Sequence, residues 1–233
     1  MLKELEQAAT SLDATKSSYA SADIVYGGDV TKWKKFAYSL MLRLSMRMTK
    51  VDAATAKTWA QKAIAGGIIL DDKDLAKVQY IANGQDINKN PVSLAMRGNN
   101  YAVADGNNNT EGGKFSNTFI SFLKTNKDPR LSSIAVVWVD KKQDTTATIQ
   151  KGMQNGLLQK PADFITYSEP NINTVLKLDA PMVVISNAEM NFLMAEAIVR
   201  GWASGDAASY YQGGISASMR NMAIYGDAAA IST

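Results

Sequence analysis

Residues 23–47 read DIVYGGDVTKWKKFAYSLMLRLSMR, and the fold is decided in this stretch. Tyr26-Gly27-Gly28-Asp29 has the residue types of a turn. Asp29 or Thr31 is placed to cap a helix immediately after it, because a short oxygen side chain accepts from the free N–H groups at a helix start. The pattern then predicts a helix over residues 30–50. Trp33, Phe36 or Ala37, Leu40 and Leu44 recur every three or four residues and share one face, which is expected to be core. Arg43 and Arg47 share another face. Met41, Leu42, Met46 and Met48 fill much of the remainder, so this helix is expected to be buried on more than one side.

Working outward, Leu2, Leu5, Ala8 or Ala9, and Leu12 predict a helix over residues 3–19. A third helix starts at the cap Asp52 and stops at Gly66-Gly67. At the other end of the chain, residues 181–223 carry two apolar stripes. One is Val184, Ala188, Phe192, Ala195, Val199 and Trp202; the other is Met190, Leu193 and Ala197. The loop Ala203-Ser204-Gly205 and the cap Asp206 then lead into a further helix through Tyr210, Ile215 and Met219. This antiparallel pair resembles a tetratricopeptide hairpin. Between the helical blocks the composition turns to Asn, Gly, Asp and Thr, which are turn and loop signals. A short helix over 115–124, a turn at Asp128-Pro129-Arg130 and a β-branched strand over 133–139 are expected there. The fold class expected is mainly α: helix hairpins with a loop-rich insertion containing a little β.

Composition removes several functions. The chain of 233 residues has no Cys and no His. Disulfides and thiol catalysis are therefore excluded within it, as are imidazole acid–base chemistry and a Ser-His-Asp triad. A transition-metal centre lacks its usual nitrogen and sulfur ligands, and no cofactor is expected. Lys and Arg total 25 against 22 Asp and Glu. That excess is too small to argue for nucleic acid or an anionic membrane surface. No apolar run is long enough to span a bilayer. The first residues lack the pattern of a signal peptide.

Five segments, in order, resemble the SusD/RagB (SusD-like) family of nutrient-binding outer-membrane lipoproteins. They are Asp23–Arg47 as quoted; Asp128-Pro129-Arg130; Gly152-Met153-Gln154-Asn155-Gly156-Leu157; Ala180-Pro181 through Ser186-Asn187-Ala188-Glu189 to Ala195-Glu196-Ala197; and Gly201-Trp202 with Tyr210-Tyr211-Gln212-Gly213-Gly214-Ile215. The resemblance implies a single SusD-like domain over 1–233, truncated at both ends. Its tetratricopeptide-like scaffold would comprise 1–67 and 181–225, with a variable, ligand-facing region at 68–180. It implies capture of a glycan or peptide ligand at the cell surface for a SusC-type TonB-dependent transporter. The membrane would be reached only through a lipid anchor absent from this chain, because the family's signal and lipid-bearing Cys are not in these residues.

Several residues have a structural use that competes with a functional one. Arg43 and Arg47 present forks suited to an anionic ligand, but interhelical ion pairs to Glu189 or Glu196 are the expected use. In Asp128-Pro129-Arg130, Asp is expected to cap and Pro to open a helix. Asp105, Asn107, Asn109 and Glu111 alternate oxygen ligands like the start of a calcium loop. The glycine and the bidentate glutamate are missing, and Asp86 to Asn90 shares the defect, so solvated loops are expected. Sugar rings have apolar faces that stack on flat side chains. Trp33, Trp59 and Trp202 lie on helical patterns and are expected in the core. Tyr80, Tyr101, Trp138 and Tyr167 lie in the irregular middle and are the expected ligand-binding residues. No catalytic residue is expected. The rivals are a carboxylate-dependent glycoside hydrolase, for which no acid pair is marked, and a scaffold engaging only the transporter.

Overall fold

The computed structural model describes residues 1–98, 113–140 and 142–231. In chain order its elements are α1 (Leu2–Ser11), α2 (Val30–Arg47), α3 (Ala53–Gly66), β1 (Ala76–Val78), α4 (Pro91–Gly98), α5 (Asn117–Thr125), α6 (Leu131–Ile134), β2 (Ala135–Val139), β3 (Lys142–Asp144), β4 (Glu169–Pro170), β5 (Met182–Ile185), α7 (Asn187–Val199) and α8 (Ala207–Arg220), with short 3-10 turns among and after them. The protein is mainly α. It divides into two compact units: Met1–Gln79 with Met182–Ser218, and Tyr80–Pro181 with Met219–Thr233.

In the first unit α2 is central, packing against α1, α3 and α7. Its start is fixed as the sequence suggests, with the Asp29 side chain accepting from Lys32 N–H, and α3 begins in the same way on Asp52. The buried face of α2 differs from the one expected. Met41 and Leu42 are fully buried and Met46 is buried, with Ser39 and Ser45 beside them; of the expected face Ala37 is buried, while Leu40 and Leu44 are only partly buried. The small serines explain the shift, because they let neighbouring backbone approach. Ser39 Oγ accepts from Ile69 N–H at 2.9 Å, and Ser45 Oγ donates to Met41 C=O at 2.6 Å, so neither hydroxyl is buried unpaired. Leu42 and Met41 join Ala60, Ala63, Ile69, Ala76, Ile185, Met190 and Met194 in one apolar cluster.

Two further expectations are corrected in this unit. Val184 lies in β5, which pairs antiparallel with β1, and not on the last helical block. In α7 the expected apolar positions Ala188, Met190, Ala195 and Ala197 are buried, with Met194 beside them, whereas Val199 is largely exposed. Arg43 forms a fork with Glu189, donating from Nε to Oε1 at 2.5 Å and from Nη2 to Oε2, and it also donates to Val184 C=O at 2.8 Å. Glu196 pairs instead with Arg200, one turn along the same helix. Arg43 is thus a structural residue, as its position on a scaffold helix suggests.

Trp59 and Trp202 are partly buried against the core cluster. Trp33 is not packed on it; its indole N–H donates to Asp23 Oδ2 at 2.7 Å. Burial pushes the Asp23 carboxyl up. Hydrogen bonds from Trp33 and from the N–H groups of Gly28, Val25 and Tyr26 outweigh that, and the net direction is down. A depressed carboxylate contributes stability that is present above its unfolded pKa of about 3.9 and is lost as pH falls through the lower folded value. Urea midpoints measured from pH 5 downward should therefore fall more steeply for the parent than for Asp23→Asn. Parallel curves would remove Asp23 from this role.

The second unit contains a three-stranded sheet in the order β3-β2-β4, antiparallel throughout. Ile120, Leu123, Leu131 and Ala135 form its main apolar cluster. Asn90 caps α4 through Oδ1, which accepts from Val92 and Ser93 N–H, while its Nδ2 donates to Ala180 C=O. Asp86 pairs with Lys89. These two residues are thereby used structurally, and among the described residues no group of three or more acidic side chains is poised for a metal. The Asp105–Glu111 segment lies outside the described residues. Asp128 holds the Arg130 guanidinium and accepts from Arg130 N–H; α6 then begins at Leu131, so Pro129 precedes the helix and does not open it. The expected strand start at 133 is replaced by this short helix, and β2 begins at Ala135.

Candidate functional site

In a strand, alternate residues share a face, so Val136 and Trp138 of β2 lie on one side. Val136 pairs with Glu169 of β4, which puts the Glu169 side chain on that same side and diagonally beside Trp138. The result is a hydrogen bond of 2.6 Å from Trp138 Nε1–H to Glu169 Oε1. The other carboxylate oxygen accepts from Lys114 Nζ at 2.9 Å. Both side chains of that ion pair are fully buried. Burial pushes the Glu169 carboxyl up and the Lys114 ammonium down, and each charge opposes the shift of the other. The half-buried Trp138 ring is thus tethered by its one polar atom to a buried charge pair.

Tyr167 stands two residues before Glu169. The segment is fastened at residue 168, because Ser168 N–H donates to Lys151 C=O at 2.7 Å and Lys151 N–H donates to Ser168 Oγ at 2.8 Å. Lys151 Nζ lies 4.2 Å from the centre of the Tyr167 ring and 2.5 Å from Asp163. Phe164, which sequence reasoning did not single out, lies 5.1 Å from Lys114 Nζ and 5.5 Å from Lys160 Nζ. It also lines a groove of about 450 Å³ together with Gln154, Asn155, Gln159, Lys160 and neighbouring residues of the 153–161 loop. Amide side chains around an aromatic ring can donate to and accept from hydroxyls while the ring covers an apolar face.

Of the four expected ligand residues, Trp138 is held by Glu169, and Tyr167, two residues before Glu169 in the chain, lies against Lys151. Tyr80 is half-buried, on the segment that leads to the 3-10 turn at Asp86–Asn88. Tyr101 lies outside the described residues. The groove loop had one local signal, the Asn155-Gly156 turn, and Gly156 does adopt φ 78°. Nothing local marks Lys114 or Glu169, which are 55 residues apart.

The loop depends on Gly152. A Cβ there would lie 2.4 Å from Ser116 C=O and 2.5 Å from Asn117 Cα. That close approach lets Asn117 N–H reach Met153 C=O at 2.7 Å and Met153 N–H reach Phe115 C=O at 2.8 Å. Gly152→Ala should cost about 1–3 kcal/mol as an overpacking change against backbone. A urea midpoint equal to the parent's would show that the two segments separate freely.

Residues 1–232 match the model of a SusD-like family described as starch-binding, associating with the outer membrane. No curated protein matches the chain. Among solved structures it is similar to a chitin-binding protein, with 27% identity and a TM-score of 0.79 over 99% of this chain and 49% of that one. It is also similar to a SusD homolog from Bacteroides uniformis, with 30% identity and a TM-score of 0.77 over 99% of this chain and 44% of that one. A third likeness is to a chitin-binding SusD homolog from Flavobacterium johnsoniae, with 28% identity and a TM-score of 0.76 over 97% and 44% of the respective chains. The chain spans less than half the length of each of these three structures. With the match of the family model over nearly all of its residues, the chain belongs to the SusD-like family.

Proposed function

We propose that the protein binds a glycan without chemical change, as part of a cell-surface lipoprotein of the outer membrane that hands nutrient to a SusC-type TonB-dependent transporter. The observation that carries this reading is the tethered Trp138 ring, in a unit whose amide-lined groove also contains Phe164 and whose Tyr167 ring lies against Lys151. An aromatic ring held by its polar edge loses little freedom on binding a sugar face, which favours affinity. The carboxylates of this neighbourhood are engaged: Glu169 is buried against Lys114, and Asp163 is paired with Lys151. Neither is arranged as a solvated acid facing a second carboxylate, which supports binding over glycoside hydrolysis. No helix among the described residues is long and apolar enough to cross a membrane.

The family description and the similar structures make α-glucan and chitin fragments the first ligands to try. Incubation with maltohexaose and chitohexaose, followed by chromatography of the sugars, should return both unchanged. Shortened products would favour the hydrolase. Failure to bind anything on a broad glycan array would favour a scaffold that engages only the transporter.

A further inference from the structure

A second cleft lies in the first unit, lined by none of the residues assigned to the Trp138 neighbourhood. It measures about 540 Å³ and is formed where the chain passes from the end of α1 through residues 12–29 to the start of α2. That size is within the range of small-molecule sites. Leu12, Ala22, Val30 and Trp33 give it an apolar lining. Ser17, Ser18 and Tyr19 add hydroxyls, none of which hydrogen-bonds to another described residue. Its charged residues are Asp13, Lys16 and Asp23: Lys16 Nζ lies 4.0 Å from Asp13, and Asp23 accepts from four N–H groups, which leaves the lining negative on balance.

The cleft is held in shape by its own contacts. Trp33 is fixed by Asp23 and by edge-on contacts to Tyr26 and Phe36, with ring centres 5.3 and 5.2 Å away. Gly28, at φ 88°, closes on the loop so tightly that a Cβ would lie 2.8 Å from both Ala20 N and Ser18 Oγ. Tyr19, by contrast, is 86% exposed although it lines the cleft, so its ring has little to cover it within the unit.

We infer that this cleft is a second ligand site, taking a neutral sugar ring of a glycan. An apolar lining with a fixed indole suits the hydrophobic face of a pyranose, the unengaged hydroxyls suit its equatorial oxygens, and the unpaired Asp23 carboxylate, already accepting from four N–H groups, disfavours an anionic ligand. The inference rests on the glycan-binding reading but uses a different unit and different residues.

The test is an NMR titration of the isotope-labelled chain with maltohexaose and with chitohexaose, repeated on Tyr19→Ala, on Ala22→Phe, which plugs the cleft, and on a Trp138→Ala/Tyr167→Ala double variant. Circular dichroism checks that each is folded; Tyr19 and Ala22 are both exposed, so their variants should be. The expected result is saturable shifts at residues 11–33 in the parent, weakened at least tenfold by Tyr19→Ala or Ala22→Phe and retained in the double variant. Shifts confined to residues 80–181 would overturn the second site while leaving the main reading intact. Shifts confined to residues 11–33 would uphold the cleft and remove the Trp138 platform. No shift with either sugar would remove both.

Discussion

Glu169→Ala should lower the stability of the protein by about 3–5 kcal/mol, the cost of breaking a buried pair on one side. The substitution leaves the Lys114 ammonium fully buried without its counter-charge and takes away the acceptor of the Trp138 N–H. Burial already pushes Lys114 down, and Glu169 is the group that opposes the shift. Replacing both charges together, as Lys114→Met/Glu169→Leu, should recover most of the loss, because the desolvation of two ions then disappears with their attraction. The double variant should still fall short of the parent by about 1–3 kcal/mol, since the indole N–H stays without a partner. Urea midpoints of the parent and the two variants measure this directly. A Glu169→Ala midpoint equal to that of the parent would mean that water reaches Lys114.

Leu42→Ala should cost about 2–5 kcal/mol by opening a cavity in the core of the first unit. Leu42 is 0% exposed and joins residues from α3, β1, β5 and α7, so no single neighbour can move in to fill the space. Leu40→Ala, on the face expected from spacing to be core, should cost less, because part of that side chain is already in solvent. Equal losses at the two positions would contradict the observed buried face of α2. The slope of the denaturation curve should stay constant in both, as the surface exposed on unfolding is unchanged.

The helical frame was legible where its signals are local. Asp29 and Asp52 cap the helices they precede, and α3 stops at Gly66 as the Gly66-Gly67 pair suggests. The reading failed where a side chain competes with the helix. Helix α1 ends at Ser11, far short of residue 19, because Asp13 Oδ1 accepts from both Thr15 N–H and Thr15 Oγ1 and turns the chain. It failed again where pairing is distant. Val184 is drawn into a strand by β1, more than a hundred residues earlier, which helical spacing cannot register. Trp33 was expected in the core, but its place is set by Asp23, and it lines a cleft instead. The candidate site was expected only as a set of aromatic residues spread over the region 68–180. That Trp138 is tethered to Glu169 depends on the register of β2 on β4, and no residue pattern announces that register.

Glycan capture by Trp138 and Tyr167 is open to calorimetric titration of maltohexaose and chitohexaose into the parent and into Trp138→Ala and Tyr167→Ala, each shown folded by circular dichroism. At least one sugar should bind the parent, and losing a ring at the centre of the site should cost about 2 kcal/mol or more in affinity. Parent-like binding by both folded variants would place the site elsewhere and contradict the account.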